Sequence, residues 1–459
     1  MYRIDLGRPG SVYFIGIGGI SMSALAQILL SYGFKVSGSD ASSGDSVKKL
    51  EELGAAVHIG HAASNIGDDV EAVVYTAAIH PDNPEFAEAK RRGLPLVNRA
   101  VLLGQMMEHY ACSVAVAGTH GKTTTTSMLS QICMDAGADP TVLVGGMLDS
   151  IGGNLRIGGS ECFVAEACEY TNSFLEMKPW IGIILNIRAD HLDFFRDIDD
   201  IRDSFHRFAC LVQEGGLLVI NADIDDVGQI TEGAACRVMT FGLHENADIT
   251  ARDIAYGSDG CAVFDIVHEN EKKAHIALEI PGEHNVADAL AAACAARALG
   301  ISWADIEKGL DGFSGTRRRF EVKGQIGGIE IVDDYAHHPD EIRATLEAAR
   351  RLGRKRVWCV FQSHTYTRTK ALMHGFAEAL CLADEIVLAK IYPARETDTL
   401  GISAHTLADE IERLGRHAYC FDSFDEIEIF LLENAADGDL IITMGAGDIV
   451  KVGEVLLGM

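Results

Sequence analysis

The segment VAVAGTHGKTTTTSML, residues 114–129, restricts the fold more than any other part of the chain. A run of small and β-branched apolar residues ends at Gly118, a short loop follows, and Lys122 opens a stretch with the character of a helix. Strand, glycine loop and helix in that order belong to a βαβ unit, whose strand lies buried in a parallel sheet. Gly118 and Gly121 let the backbone close around an anion, with successive N–H groups and the helix N-terminus directed at it. Lys122 can then reach the β- and γ-phosphates of a nucleotide, and Thr123 can offer its hydroxyl to Mg²⁺. Val116 stands where the strict GxxxxGK[ST] pattern has its first glycine, so the loop is a shortened variant. A plain glycine turn with a surface lysine would leave the four threonines after a buried strand unexplained.

The same rhythm surrounds this segment. Apolar runs at 12–15, 35–37 and 72–75, with a helical pattern at 20–30, form one series, and runs at 113–117, 162–165, 181–185 and 217–220 form a second. Residues 248–280 alternate around the turn GSDG and read as an antiparallel hairpin attached to the second sheet, followed by a helix over 285–298. A third series begins near Thr316, with strands expected at 329–332, 356–361, 385–388 and 440–443. The 459 residues suffice for about three domains, and the boundaries are placed near 108 and 315.

Acidic residues number 67 against 39 basic ones, a net charge of −28, which excludes a phosphate-tracking surface and with it a nucleic-acid partner. Eleven cysteines contain no CxxC pair and no zinc spacing, as reduced thiols of a cytosolic protein would. The N-terminus shows no leader pattern and no apolar run reaches eighteen residues, so a soluble cytoplasmic protein without a membrane partner is expected.

Parallel strands of one sheet bring their C-terminal ends to a common edge, where ligands bind. FVAEACE delivers Glu166 to that edge, with Glu169 a weaker candidate, and IGIILNIRADH delivers Asn186, Asp190 and His191. A carboxylate near a triphosphate suits Mg²⁺, which prefers oxygen ligands. The first domain has its own loop, Gly16 to Ser21, with Asp40 ending the next strand; it resembles a dinucleotide fingerprint whose third glycine is replaced by Ser21. Two phosphate loops imply two ligands, ATP at the second and another diphosphate at the first.

Ten ordered motifs resemble those of the Mur ligases, in particular the branch that adds L-alanine. They are GIGGISMSALA, GSD, AGTHGKTTTT, FVAEACEYTNSF, NIRADHLD, PGEHNVADALAA, GTRRRFE, DDYAHHPDE, FQSHTYTRTK and GAGDI. The resemblance implies an α/β fold of three domains: a Rossmann-like UDP-sugar domain at 1–108, a central P-loop ATPase-type domain at 109–314 with a mostly parallel sheet and an antiparallel extension, and a Rossmann-like closing domain at 315–459. It implies ATP and Mg²⁺ as cofactors and UDP-N-acetylmuramate and L-alanine as substrates, in a monomer or homodimer. Gly18, Gly19 and Ser21 would face the UDP diphosphate, with Asp40, His61 and Thr76 completing that site. Gly118, Thr119, His120, Gly121, Lys122, Thr123 and Thr124 would hold ATP, with His284 and Asn285 on the adenine side and Arg319 near the phosphates. Thr123, Glu166 and His191 would serve the metal, Asp334, His337 and His364 the substrate, and Lys122, His191, His338 and Arg368 the catalysis.

The chain departs from the family at Asp288, where Asn is frequent, and at Ser363, where Pro is usual. Its segment Ser204-Phe205-His206 lacks the lysine that sister ligases carbamylate, in keeping with the alanine-adding branch. Two blander readings stand beside these: His337 and His338 capping a helix that starts near Asp340, and Arg317 to Arg319 as a solvated basic turn. Three rival functions remain. A ligase adding a preformed peptide fits the GIGG loop less well, a nicotinamide-dependent oxidoreductase leaves GTHGKTTTT unexplained, and a non-catalytic nucleotide switch needs neither a UDP-sugar loop nor a third domain.

Overall fold

A computed structural model describes residues 2–76, 78–244, 246–394 and 396–459. The strands of the first sheet are β1 (Ser11–Ile15), β2 (Lys35–Asp40), β3 (Ala56–Ile59), β4 (Ala72–Tyr75) and β5 (Leu96–Asn98). They lie in the order β3-β2-β1-β4-β5 and all pair in parallel. The order reverses between β1 and β4, and such switch points open a crevice at the C-terminal ends of the strands. The Gly16 to Ser21 loop follows β1 and Thr76 follows β4, so both stand at that crevice.

The second sheet holds β6 (Cys112–Ala117), β7 (Thr141–Leu148), β8 (Gly153–Arg156), β9 (Cys162–Glu166), β10 (Ile181–Ile184), β11 (Leu217–Asn221), β12 (Arg237–Gly242), β13 (Ile249–Tyr256), β14 (Cys261–His268) and β15 (Glu271–Pro281). Its order is β15-β14-β13-β12-β11-β10-β6-β9-β7-β8. β6 sits between β10 and β9, parallel to both, with Ala117 beside Ile184 and Val116 beside Glu166. The expected antiparallel extension is β13-β14-β15. The structure adds a second antiparallel pair at the other edge, β7 with β8. Helix Glu283–Ala298 covers the sheet and is alanine-rich and buried almost all round. Its small side chains allow close packing against the helix Lys122–Asp135 that follows the phosphate loop.

The third sheet contains β16 (Glu321–Ile326), β17 (Ile329–Asp334), β18 (Val357–Phe361), β19 (Glu385–Leu388), β20 (Ala418–Cys420) and β21 (Leu440–Met444), in the order β16-β17-β21-β18-β19-β20. Only β16 runs antiparallel to its neighbour.

One continuous apolar core runs from the first sheet into the second, joining Phe14 and Leu25 to Phe163, Phe174 and Phe205. The third sheet has cores of its own, around Phe361 and Phe376 on one face and Trp358 on the other. Its lobe meets the central one through polar contacts, among them Arg317 to Asp149 at 2.7 Å and Arg351 to Glu283 at 3.3 Å. All eleven cysteines are free thiols. Among the described residues no helix is long and apolar enough to cross a membrane.

Candidate active site

The phosphate loop is shaped by two glycines and one asparagine. Gly118 has φ +149° and Gly121 φ +83°, both in the region L side chains avoid. Asn186, at the end of β10, accepts the His120 N–H at 2.8 Å and donates to the His120 carbonyl at 3.0 Å, so it fixes the loop from both sides. Gly121 is the N-cap of helix Lys122–Asp135 and no side chain caps that helix, which leaves its first N–H groups directed at the loop.

Lys122 donates to both oxygens of Glu169, at 2.9 and 3.2 Å, and to the Thr119 carbonyl at 3.1 Å. Burial alone would weaken its hold on a proton, but Glu169 outweighs that and raises the ammonium above its ordinary value. Glu169 is itself buried and also approaches His191 Nε2 at 3.8 Å. Its sequence context, three residues after Glu166 in FVAEACE, marks it less strongly than its burial and its pairing with Lys122 do. His191 has φ +54° and its ring stacks on Tyr170 at 4.5 Å. Burial draws its pKa down despite Asp190 and Glu169.

Glu166 lies at the end of β9, where its carboxylate accepts the Gly145 N–H from β7. A side chain at Gly145 would meet the Glu166 carboxylate at 2.6 Å, so this glycine admits the acid. Thr123 and Thr124 are both buried on the first turn of the helix, with the Thr123 methyl against Gly146.

The third lobe closes over this edge and leaves a cleft of about 670 Å³. Its lining includes Tyr170, Asp190 and His191 from the central lobe and Tyr335, His337, His364 and Arg368 from the third. Arg368 Nε donates to Asp190 at 3.2 Å, and its other nitrogens lie 3.4 Å from His364 Nδ1 and 3.5 Å from His191 Nδ1. Burial opposes ionisation of Asp190, yet His191, Arg368 and His338 bring its pKa down to about 2. Burial draws His337 down to about 4 despite the Glu341 carboxylate, and burial together with the Arg368 guanidinium draws His364 down to about 4. Thr365 and His191, both lining the cleft, have positive φ, as do the nearby Thr171 and Asn172. For β-branched threonine that backbone is strained, and strain of this kind gathers at functional sites.

Two candidates from the third lobe behave otherwise than expected. Asp334 has both oxygens engaged within its own lobe, accepting Ala336 N–H at 2.7 Å, Phe320 N–H at 3.0 Å and the Thr345 hydroxyl at 3.2 Å. It therefore braces the strand end of its own lobe. His338 is the N-cap of helix Pro339–Arg351, accepting the Asp340 N–H at 3.2 Å, as the blander reading held. Its Nε2 also reaches across to the Ala189 carbonyl at 3.2 Å.

In the first lobe, Asp40 accepts the Gly18 N–H at 2.9 Å and so ties the loop after β1 to the end of β2. Gly19 is the N-cap of helix Ile20–Ser31, with Ser21 on its first turn, and Thr76 packs against Gly16. His61 meets Ser39 and Glu85, each at 3.0 Å. Glu85 is fully buried, and burial would raise its pKa, but Ser39, Asn65, Tyr13 and His61 hold it below its usual value. Nothing in the sequence marks this acid, whose role arises from burial alone.

At the junction with the third lobe the three arginines part company. Arg317 pairs with Asp149, and Arg318 pairs with Asp333 at 2.9 Å and donates to the Gly445 and Gly447 carbonyls. Arg318 is consumed within its own lobe, whereas Arg317 remains exposed at the surface, as a solvated turn would leave it. Arg319 forms no ion pair among the described residues; it lies over Tyr335 and lines a second cavity of about 400 Å³ with Thr316 and Phe320. His284 is exposed, whereas Asn285 is buried and donates to the Pro281 carbonyl at 2.7 Å. Asp288 lies beneath the phosphate loop, where a side chain on Gly121 would meet it at 2.5 Å. Its Oδ2 has no hydrogen-bond partner, and burial raises its pKa to about 8 although Thr125 and Arg319 pull the other way.

Three family models match in chain order: the Mur ligase family, catalytic domain, over residues 11–111; the Mur ligase middle domain over 116–296; and the Mur ligase, glutamate ligase domain, over 318–447. The UDP-N-acetylmuramate-L-alanine ligase of Lachnospira eligens is 55% identical over 458 residues, all of both chains, and that of Agathobacter rectalis is 51% identical over 457 residues, again all of both. The crystal structure of the UDP-N-acetylmuramate-alanine ligase of Thermotoga maritima superimposes with a TM-score of 0.81 at 29% identity, covering 98% of each chain. A murein peptide ligase from Psychrobacter arcticus gives 0.72 at 25%, also covering 98% of each. With relatives this similar over its whole length, the chain belongs to the Mur ligase family.

Proposed function

We propose that this chain is an ATP-dependent ligase that joins L-alanine to the lactyl carboxylate of UDP-N-acetylmuramate, in the cytoplasm, as a step of peptidoglycan precursor synthesis. The observation that carries the reaction class is the meeting, in one cleft, of Asp190 and His191 with Arg368 and His364 of the third lobe, where His191 also approaches the buried Glu169 that holds Lys122. The choice of alanine rests on the full-length relatives of that name, which are much closer than the murein peptide ligase. Residues 1–108 hold the UDP-sugar, 109–314 the ATP and 315–459 the amino acid. Every group in this reading comes from one chain, so a monomer or a homodimer can work.

A carboxylate resists attack by an amine until one of its oxygens becomes a leaving group. The lactyl carboxylate attacks the γ-phosphate in line, giving an acyl phosphate and ADP; the alanine amine then attacks the acyl carbon and phosphate departs. Lys122 faces the charge that develops on the phosphoryl oxygens. The residues fit Mg²⁺, since Thr123 and Glu166 are hard oxygen donors beside the buried Glu169, with His191 the softer member. When bound, Mg²⁺ would neutralise phosphate charge. Arg368 holds the third lobe over the site and excludes water from the acyl phosphate. A histidine of the cleft is the candidate acceptor of the amine proton, with His364 lining it beside Arg368.

Phosphate release from ATP, Mg²⁺ and UDP-N-acetylmuramate, followed with each amino acid in turn, tests this reading. Release should depend on L-alanine. Release without any amino acid, or driven only by a preformed peptide, would refute it.

A further inference from the structure

Among the described residues one trio of potential metal ligands gathers tightly, and it is not the set assigned to Mg²⁺. One ligand atom each from His120, His338 and Asp340 lies within 4.8 Å of the others. His120 Nδ1 faces the Glu341 carboxylate at 3.0 Å, which fixes the proton there and turns Nε2 outward as a lone pair. That Nε2 is buried and has no hydrogen-bond partner. His338 Nε2 likewise donates to the Ala189 carbonyl, which leaves Nδ1 as an acceptor facing Asp340. Asp340 Oδ2 stands 4.0 Å from His120 Nε2 and 3.8 Å from His338 Nδ1. A carboxylate or carbonyl behind each imidazole is the arrangement that orients histidine toward a metal.

We propose that His120, His338 and Asp340 form a site for a borderline divalent cation, Zn²⁺ above all, that clasps the phosphate loop to the third lobe. Two imidazoles and one carboxylate suit Zn²⁺ and leave a fourth position for water. The half-exposed Asp340 gives the ion a way in from solvent. Ligand atoms around tetrahedral zinc stand roughly 3.3 Å apart, so the Asp340 oxygen, now 4.0 and 3.8 Å from the two imidazole nitrogens, moves inward on binding. His338 gives the ion the lone pair with which it now caps the helix. The ligands come from both lobes, so the bound ion opposes lobe opening and slows turnover; it does not replace Mg²⁺.

The full chain, stripped of metal and free of nucleotide, is titrated with Zn²⁺ against a chromophoric zinc indicator, and with Co²⁺ while the visible spectrum is recorded. One equivalent should bind, with the Co²⁺ bands of a nitrogen and oxygen site and no thiolate charge-transfer band. Asp340→Ala and His338→Ala should each weaken binding about tenfold or more, while Glu166→Gln leaves it within about twofold. Thermal melts of each variant establish that it is folded. Absence of binding, a thiolate band, unchanged affinity in Asp340→Ala, or loss of binding in Glu166→Gln would each overturn the site.

Discussion

Lys122 and Asp288 flank the phosphate loop with opposite electrostatics. Lys122 is a charged group kept charged by a buried carboxylate, and by analogy with one lost preorganised donor Lys122→Ala should lower turnover by about 10²-fold or more in the phosphate-release assay. Asp288 is an acid kept neutral by burial. Its folded pKa, about 8, lies above the unfolded value of about 4, so the folded state binds more protons between these values. Stability from this group is therefore lost as pH rises across that window. Asp288→Asn should raise the melting temperature relative to the parent at pH 8, by about 1 kcal/mol or more of stability, and by less at pH 5; an equal effect at both would contradict a neutral buried acid. At this scale Lys122 was legible because the whole GKTTTT pattern announces it. Glu169 was legible only as a weaker candidate and Glu85 not at all, because what distinguishes them is the loss of water around them.

The loop between β6 and helix Lys122–Asp135 is the element proposed to hold the nucleotide. A methyl at Gly121 would lie 2.5 Å from Asp288 on a backbone of φ +83°, so neither space nor conformation admits it. Gly121→Ala should cost on the order of 1–3 kcal/mol in chemical denaturation and weaken ADP binding in calorimetry; an unchanged protein would mean the loop relaxes freely. The buried parallel strands β6, β9, β10 and β11 were readable as apolar runs because both of their faces are covered. The short strands β3, β5 and β20 and the edge strand β8 gave weaker signals, being brief or half exposed. The segment HHPDE shows both readings at once: its second histidine caps the helix through one nitrogen and touches the other lobe through the second.

At the scale of the molecule, two lobes share one core while the third is attached by ionic and hydrogen-bonded contacts. The Arg368 to Asp190 pair is the most buried of these contacts around the cleft. Arg368→Ala leaves the buried Asp190 with only the His191 N–H and ring beside it, which should cost up to about 3 kcal/mol of lobe docking and enlarge the radius of gyration in X-ray scattering. Because Asp190 titrates at about 2, below its unfolded value, its contribution is present above about pH 4 and is lost as pH falls toward 2. The stability gap between parent and variant should accordingly close on acidification. The net charge of −28 is offset where polyanions are expected by Lys122, the helix N-terminus and Arg319, while Arg317 pairs across the lobes with Asp149 and Arg318 is engaged within the third lobe. Catalysis by carboxylate activation inside this closed cleft has a direct isotopic signature. With UDP-N-acetylmuramate labelled with ¹⁸O in its lactyl carboxylate, one labelled oxygen should leave with the phosphate formed during alanine ligation, read by mass spectrometry. Phosphate carrying no label would show that water, not the carboxylate, attacks ATP, and would contradict ligation through an acyl phosphate.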